Sequence, residues 1–183
     1  MSKPIVLIVA SVGFQPMEYH DTKAALESAD LQVITASDTA GIAVGSDHTT
    51  KVAIDFTVTD LDSTQYDGIF LIGGPGALEH LNTKATIKLM QKATKLNIPR
   101  GGICITPRIL AQAGLLKDMR ATGWNEDGKL PAIFAEHGVA AELDKPVVTD
   151  GRVITASGPR AAAQFGQAVI KAVLNYRAEQ RER

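Results

Sequence analysis

Six consecutive apolar residues, Ile5-Val6-Leu7-Ile8-Val9-Ala10, leave few folds open to this chain. A run this short, rich in β-branched side chains and without polar alternation, reads as a strand covered on both faces, which is the habit of parallel sheets. The run is too short for the core of a secretory signal and no small-residue cleavage site follows it, so the chain is expected to be cytoplasmic. No apolar run anywhere reaches the roughly 18 residues a membrane span needs, so no membrane association is expected. Met17 to Ala29 reads as a helix with Ala24, Ala25, Leu26 and Ala29 available for its inner face, and Leu31 to Ala36 as the next strand. Strand, helix and strand within roughly thirty residues make a βαβ unit, whose crossover is right-handed.

The alternation continues along the chain. Gly41 to Gly45 and Lys51 to Asp55 read as a small hairpin attached to the main sheet, around a polar turn at Ser46 to Thr50. Tyr66 to Ile72 is a second buried strand, ending on Gly73-Gly74-Pro75-Gly76-Ala77. Thr83 to Leu96 is an amphipathic helix, Pro99 to Ile103 a strand, and Pro107 to Ala113 a helix stopped by Gly114. Leu130 to Glu136 is a further helix, with Pro131 in its first turn. Val147 to Thr149 and Val153 to Ala156 flank Asp150-Gly151, a hairpin signal. From Pro159 a last helix runs to about Arg177, and the charged tail to Arg183 is expected to fray. The expected fold is one α/β domain over residues 1–183, with helices on both faces of a mostly parallel sheet and small added hairpins.

Composition removes several functions. Nineteen Lys and Arg balance twenty Asp and Glu, leaving a net charge of −1 over 183 residues and no basic excess for nucleic acid. With one cysteine, no intrachain disulfide and no cysteine-based zinc cage can form. His20, His48, His80 and His137 have no ligand spacing, so no metal is expected, and each reads as a surface or internally satisfied residue.

Chemistry is expected where loops leave the carboxyl ends of the strands. Cys104 stands in Arg100-Gly-Gly-Ile-Cys-Ile-Thr-Pro107, between a strand and a helix. Small residues before it and a helix after it describe a tight elbow that turns the thiol toward a helix N-terminus, which favours thiolate. A lone cysteine is equally read as a small buried hydrophobe. Gly73-Gly-Pro-Gly76 lets backbone N–H groups approach a ligand or an oxyanion, or is an ordinary tight turn. It matches neither a dinucleotide fingerprint nor a P-loop. Glu18, in the first turn of the first helix, is either a solvated acid complementing the helix dipole or an acid/base partner for a thiol.

Taken in order, Val12-Gly-Phe-Gln-Pro-Met-Glu18, Ile72-Gly-Gly-Pro-Gly-Ala77, Gly102-Ile-Cys104, Leu110-Ala-Gln-Ala-Gly-Leu-Leu-Lys117 and Ala156-Ser-Gly-Pro159 resemble the ThiJ/PfpI superfamily over nearly the whole chain. That superfamily contains deglycases, glyoxalases and PfpI-type peptidases on a class I glutamine amidotransferase-like fold. The resemblance implies a flavodoxin-like three-layer αβα sandwich, usually dimeric. It implies Cys104 as nucleophile, Glu18 as its protonated hydrogen-bond partner, and Gly73, Gly74 and the amide of Ile105 as an oxyanion hole. PfpI-type peptidases carry a histidine directly after the cysteine, where this chain has Ile105. Another branch takes a histidine from the segment after the elbow helix. Here Val139 falls nearest that position, with His137 two residues away as a possible third member. Trp124 lies in the same segment, as pocket wall or as core.

The resemblance therefore implies a cofactor-independent cysteine enzyme acting on small carbonyl electrophiles or their adducts on glycated proteins, of glyoxalase or deglycase type. The alternatives are a redox sensor or stress-protective chaperone built on an oxidisable thiol, and a scaffold that kept the fold without activity. A hydrolase or hydratase acting on another small electrophile is a close variant, and a PfpI-type peptidase is the remaining reading, against which the missing adjacent histidine argues.

Overall fold

The structure is a computed structural model and describes residues 2–182. Strands are numbered along the chain. The main sheet contains β1 (Ile5–Val9), β3 (Val33–Ser37), β6 (Phe56–Thr57), β7 (Gly68–Leu71), β8 (Arg100–Ile103), β11 (Val147–Asp150) and β12 (Val153–Ala156). Their order across it is β11-β12-β8-β7-β1-β3-β6, and only the β11–β12 pair is antiparallel. A second sheet joins β2 (Val12–Phe14), β4 (Ile42–Gly45) and β5 (Lys51–Ala53), and the two-residue strands β9 (Arg120–Ala121) and β10 (Ala140–Ala141) pair with each other. The helices are α1 (Pro16–Ser28), α2 (Ala77–Leu81), α3 (Lys84–Lys95), α4 (Thr106–Gln112), α5 (Leu130–Glu136) and α6 (Ala162–Arg181).

The apolar run is the centre of the molecule. Every residue from Ile5 to Ala10 is 0% exposed, and β1 is flanked by β3 and β7 in parallel register. From that position the chain steps one way to β3 and the other way through β7, β8 and β12. With right-handed crossovers the two directions place helices on opposite faces. Accordingly α1 packs on α6 over one face, while α3 and α4 contact β7 and β8 on the other. This is the flavodoxin-like sandwich, with its switch point between β1 and β7. Phe70 of β7 meets Phe165 of α6 edge to face, with centroids 5.8 Å apart. A fully buried side chain of this size contributes about 1.5–3 kcal/mol. Among the described residues no helix is long and apolar enough to cross a membrane.

Several elements differ from the sequence reading. The Gly41–Asp55 hairpin does not join the main sheet; β4 pairs instead with β2, between the first strand and the first helix. Phe56–Thr57 does join it, beside β3. The inner face of α1 is Glu18, Tyr19, Thr22 and Leu26, and Ala24 is exposed. In the last hairpin Asp150 pairs with Val153, so the turn is Gly151-Arg152, with Gly151 at φ +58°. The C-terminal helix continues past Arg177 to Arg181. Arg177 is held there by Asp67 at 2.7 Å and by the carbonyl of Lys3 at 2.7 Å. Met1 and Arg183, the ends of the expected domain and tail, lie outside the described residues.

Candidate active site

The loops after β1, β7 and β8 converge at the carboxyl side of the sheet. Gln15 ties the first two together. Its backbone N–H donates to the Gly73 carbonyl at 2.9 Å, and its side-chain oxygen caps α1 by accepting from the Met17 N–H at 2.9 Å. This anchoring turns the first turn of α1 inward. Glu18 is therefore 0% exposed rather than a solvated dipole-complementing acid.

Cys104 sits on the turn between β8 and α4 at φ +65°, a left-handed conformation that a residue with a Cβ adopts at a cost. Two hydrogen bonds fix it: its N–H donates to the Ala156 carbonyl at 2.9 Å, and its carbonyl accepts from the Trp124 N–H at 2.7 Å. Beneath it the Thr106 hydroxyl donates to the carbonyls of Ile103 at 2.9 Å and Leu71 at 3.2 Å. The elbow is therefore clamped from β12, from the 122–129 segment and from β7.

The thiol and the carboxyl meet over Gly73. The Glu18 carboxyl hydrogen-bonds Cys104 and its Oε2 accepts from the Gly73 N–H at 2.8 Å, while Oε1 is buried without a partner. A Cβ at Gly73 would lie 2.6 Å from the Cys104 Cβ and 2.7 Å from Glu18 Oε2, so only glycine lets the pair close. At Gly74, φ is +124° and a Cβ would lie 2.4 Å from the Gly13 carbonyl oxygen. The N–H groups of Ile105 and Gly74 point to the sulfur. The Gly73 N–H, grouped with them on the sequence, is instead engaged by Glu18.

Burial pushes the Glu18 carboxyl up to about 7, against the hydrogen bonds from Cys104 and Gly73 that pull it down. Burial also pushes the Cys104 thiol up, and so do the Glu18 charge and hydrogen bond; the amides of Ile105 and Gly74 pull the other way without prevailing. The direction is opposite to that expected from a helix N-terminus alone. Burial therefore opposes ionisation of both groups, and each charge opposes the other.

Above the pair is a cavity of about 360 Å³, lined by Gln15, Glu18, Gly74, Pro75, Leu78, Cys104, Ile105, Trp124, Glu126 and Pro159. Trp124 is thus a wall of the pocket and not plain core. Its segment is latched by Arg108 of α4, a side chain only 5% exposed. The Arg108 guanidinium donates to Asp127 at 2.6 and 3.0 Å and to the Trp124 carbonyl at 3.2 Å, and it stacks 5.3 Å from the Trp124 ring centroid. Glu126, Asp127 and Arg108 went unassigned on the sequence. For Glu126 and Asp127 the one signal there was the polar, glycine-punctuated stretch Gly123 to Gly128 between two helices; Arg108 had none.

No histidine lines this cavity. His137 caps the C-terminal end of α5, with its N–H on the carbonyls of Ile133 and Phe134. The start of that helix is the end tied to the pocket loop, through the Leu130 N–H to the Asn125 side chain at 3.0 Å. Seven residues of helix, about 10 Å, separate the two. His20 and His48 are exposed, and His80 is paired with Asp38 at 3.0 Å. Among the described residues no three His, Cys, Asp or Glu side chains are grouped to hold a metal ion.

Known proteins resemble this chain in sequence and fold. An uncharacterised protein of Methanocaldococcus jannaschii is 33% identical over 172 residues, spanning 92% of this chain and 82% of that one. The DJ-1 homolog B of Arabidopsis thaliana is 26% identical over 170 residues, and the match covers 92% of this chain but 37% of that longer protein. Among solved structures, a ThiJ/PfpI domain protein from Brachyspira murdochii superposes with a TM-score of 0.86 at 25% identity, covering 95% of this chain and 97% of that one. Drosophila melanogaster DJ-1beta superposes with a TM-score of 0.83 at 22% identity, covering 98% of each chain, a likeness of fold. The sequence of residues 3–172 matches the DJ-1/PfpI family, and the chain belongs to it.

Proposed function

We propose that the chain is a cofactor-independent cysteine enzyme that consumes small reactive carbonyls, such as α-ketoaldehydes, or their adducts on proteins. The observation that carries this reading is the Cys104–Glu18 pair, its carboxyl buried and its thiol part-exposed, opening into a cavity large enough for a small electrophile. In the first step the Glu18 carboxylate takes the thiol proton as sulfur attacks the aldehyde carbon. The S–H bond breaks, a C–S bond forms, and the carbonyl oxygen becomes an alkoxide facing the N–H groups of Gly74 and Ile105. Glu18 then returns its proton to that oxygen, leaving a neutral hemithioacetal. For an α-ketoaldehyde, moving the C1 proton to C2 and the C1 hydroxyl proton to the C2 oxygen gives a thioester, and water releases a 2-hydroxy acid and regenerates the thiol.

A raised thiol favours this base-assisted reading over a redox sensor, since selective oxidation follows thiolate character. Cys104→Ser should lower turnover of methylglyoxal by at least about a thousandfold, the scale set by losing an activated nucleophile; near-wild-type turnover in that variant sinks the mechanism. A second copy of the chain is proposed to cover the small sheet, where Val12 and Ile42 are 54% and 64% exposed on adjacent strands.

A further inference from the structure

We infer that the cavity over Cys104 selects its electrophile by charge, admitting neutral and cationic molecules and turning away carboxylate-bearing ones, and that Glu126 sets this preference. The inference rests on the proposed function only in taking this cavity as the route to the thiol. Glu126 lines the cavity and is exposed, with no hydrogen bond or ion pair of its own, so its full charge faces an entering molecule. The cation that touches the same wall cannot offset it. Arg108 lies behind Trp124 with its charge neutralised by Asp127. Lys129 and Arg160, the basic residues closest in sequence to the lining residues Glu126 and Pro159, do not line the cavity. Among the described residues the lining side chains are otherwise uncharged apart from Glu18, whose carboxyl adds a second negative charge once it ionises. Of the remaining walls Pro75, Leu78, Ile105 and Pro159 have apolar side chains, and the donors present, the Gln15 amide, the Trp124 indole and the N–H groups of Gly74 and Ile105, carry no positive charge to offset Glu126.

Two like charges about 7 Å apart in water differ from a neutral pair by about threefold in rate, and by more as the cavity excludes water.

The test uses the single thiol and needs no turnover. Alkylation rates of Cys104 by neutral iodoacetamide and anionic iodoacetate are measured on the folded chain, and their ratio is divided by the same ratio for the urea-unfolded chain. The expected normalised preference for iodoacetamide is about tenfold, shrinking in high salt. Glu126→Gln should reduce it about threefold and Glu126→Lys further, with folding of both checked by circular dichroism. A normalised ratio of one, a thiol that reacts with neither reagent until unfolded, or a preference unchanged in both variants overturns the inference. A chain that discriminates by charge yet leaves methylglyoxal intact fails the proposed function alone. One that turns over methylglyoxal but shows no alkylation preference fails this inference alone.

Discussion

Glu18 trades stability for reactivity, and the trade has a pH signature. Its carboxyl titrates near 4.5 when unfolded and near 7 in the folded site. The group's contribution to stability is thus fully present below about pH 4.5, declines as pH rises, and is lost above about pH 7. A shift of this size corresponds to an upper bound on the order of 3 kcal/mol. Glu18→Gln should remove that slope from urea-unfolding midpoints between pH 4.5 and 8 and be the more stable form at pH 8. The same variant should lose the inflection near pH 7 in Cys104 alkylation. A wild-type midpoint flat across this range would mean the carboxyl is not held protonated. Cys104, Glu18, Gly73 and Gly74 could be picked out in the sequence because each sits at a fixed place in an ordered series of segments after buried strands, whereas Trp124 stayed open between pocket wall and core. The direction of the thiol shift was not legible there. Local sequence shows the helix that follows Cys104 but not the carboxyl delivered to it by α1.

Among the elements, the 122–129 segment shapes the cavity most, and α4 holds it. Arg108 is buried with Asp127 and Trp124 as its partners, so neutralising Asp127 leaves a desolvated guanidinium with weaker pairing. Asp127→Asn should loosen the segment. The emission of Trp124, the chain's one tryptophan, should shift to the red and become more accessible to acrylamide; unchanged emission and quenching would mean the latch is dispensable. Sequence periodicity could not reveal this device, because a loop side chain has no period and its partner lies on a different element. The same blindness hid β2. Three residues interrupted by Gly13 at φ +80° give too short a pattern to read, yet they redirect the 42–53 hairpin away from the main sheet. The presence of the long elements, by contrast, followed from their apolar runs and stripes, although the inner face of α1 did not.

At the scale of the molecule, the sandwich places its core around β1 and leaves the small sheet bare on one side. If the proposed second copy covers that sheet, Ile42→Asp should convert the sedimenting species from dimer to monomer, since burying an unpaired carboxylate at an apolar contact is costly; a wild-type chain that already sediments as a monomer would remove the proposal. Cys104 at φ +65° has a further consequence. A glycine there would relieve the backbone and a glutamine at Glu18 would relieve the buried acid, so each replacement makes a sturdier protein without chemistry. Selection for folding alone would erode both residues. A lineage that retains them together is still using them, whereas one that has retired the reaction is free to drift toward the more stable forms.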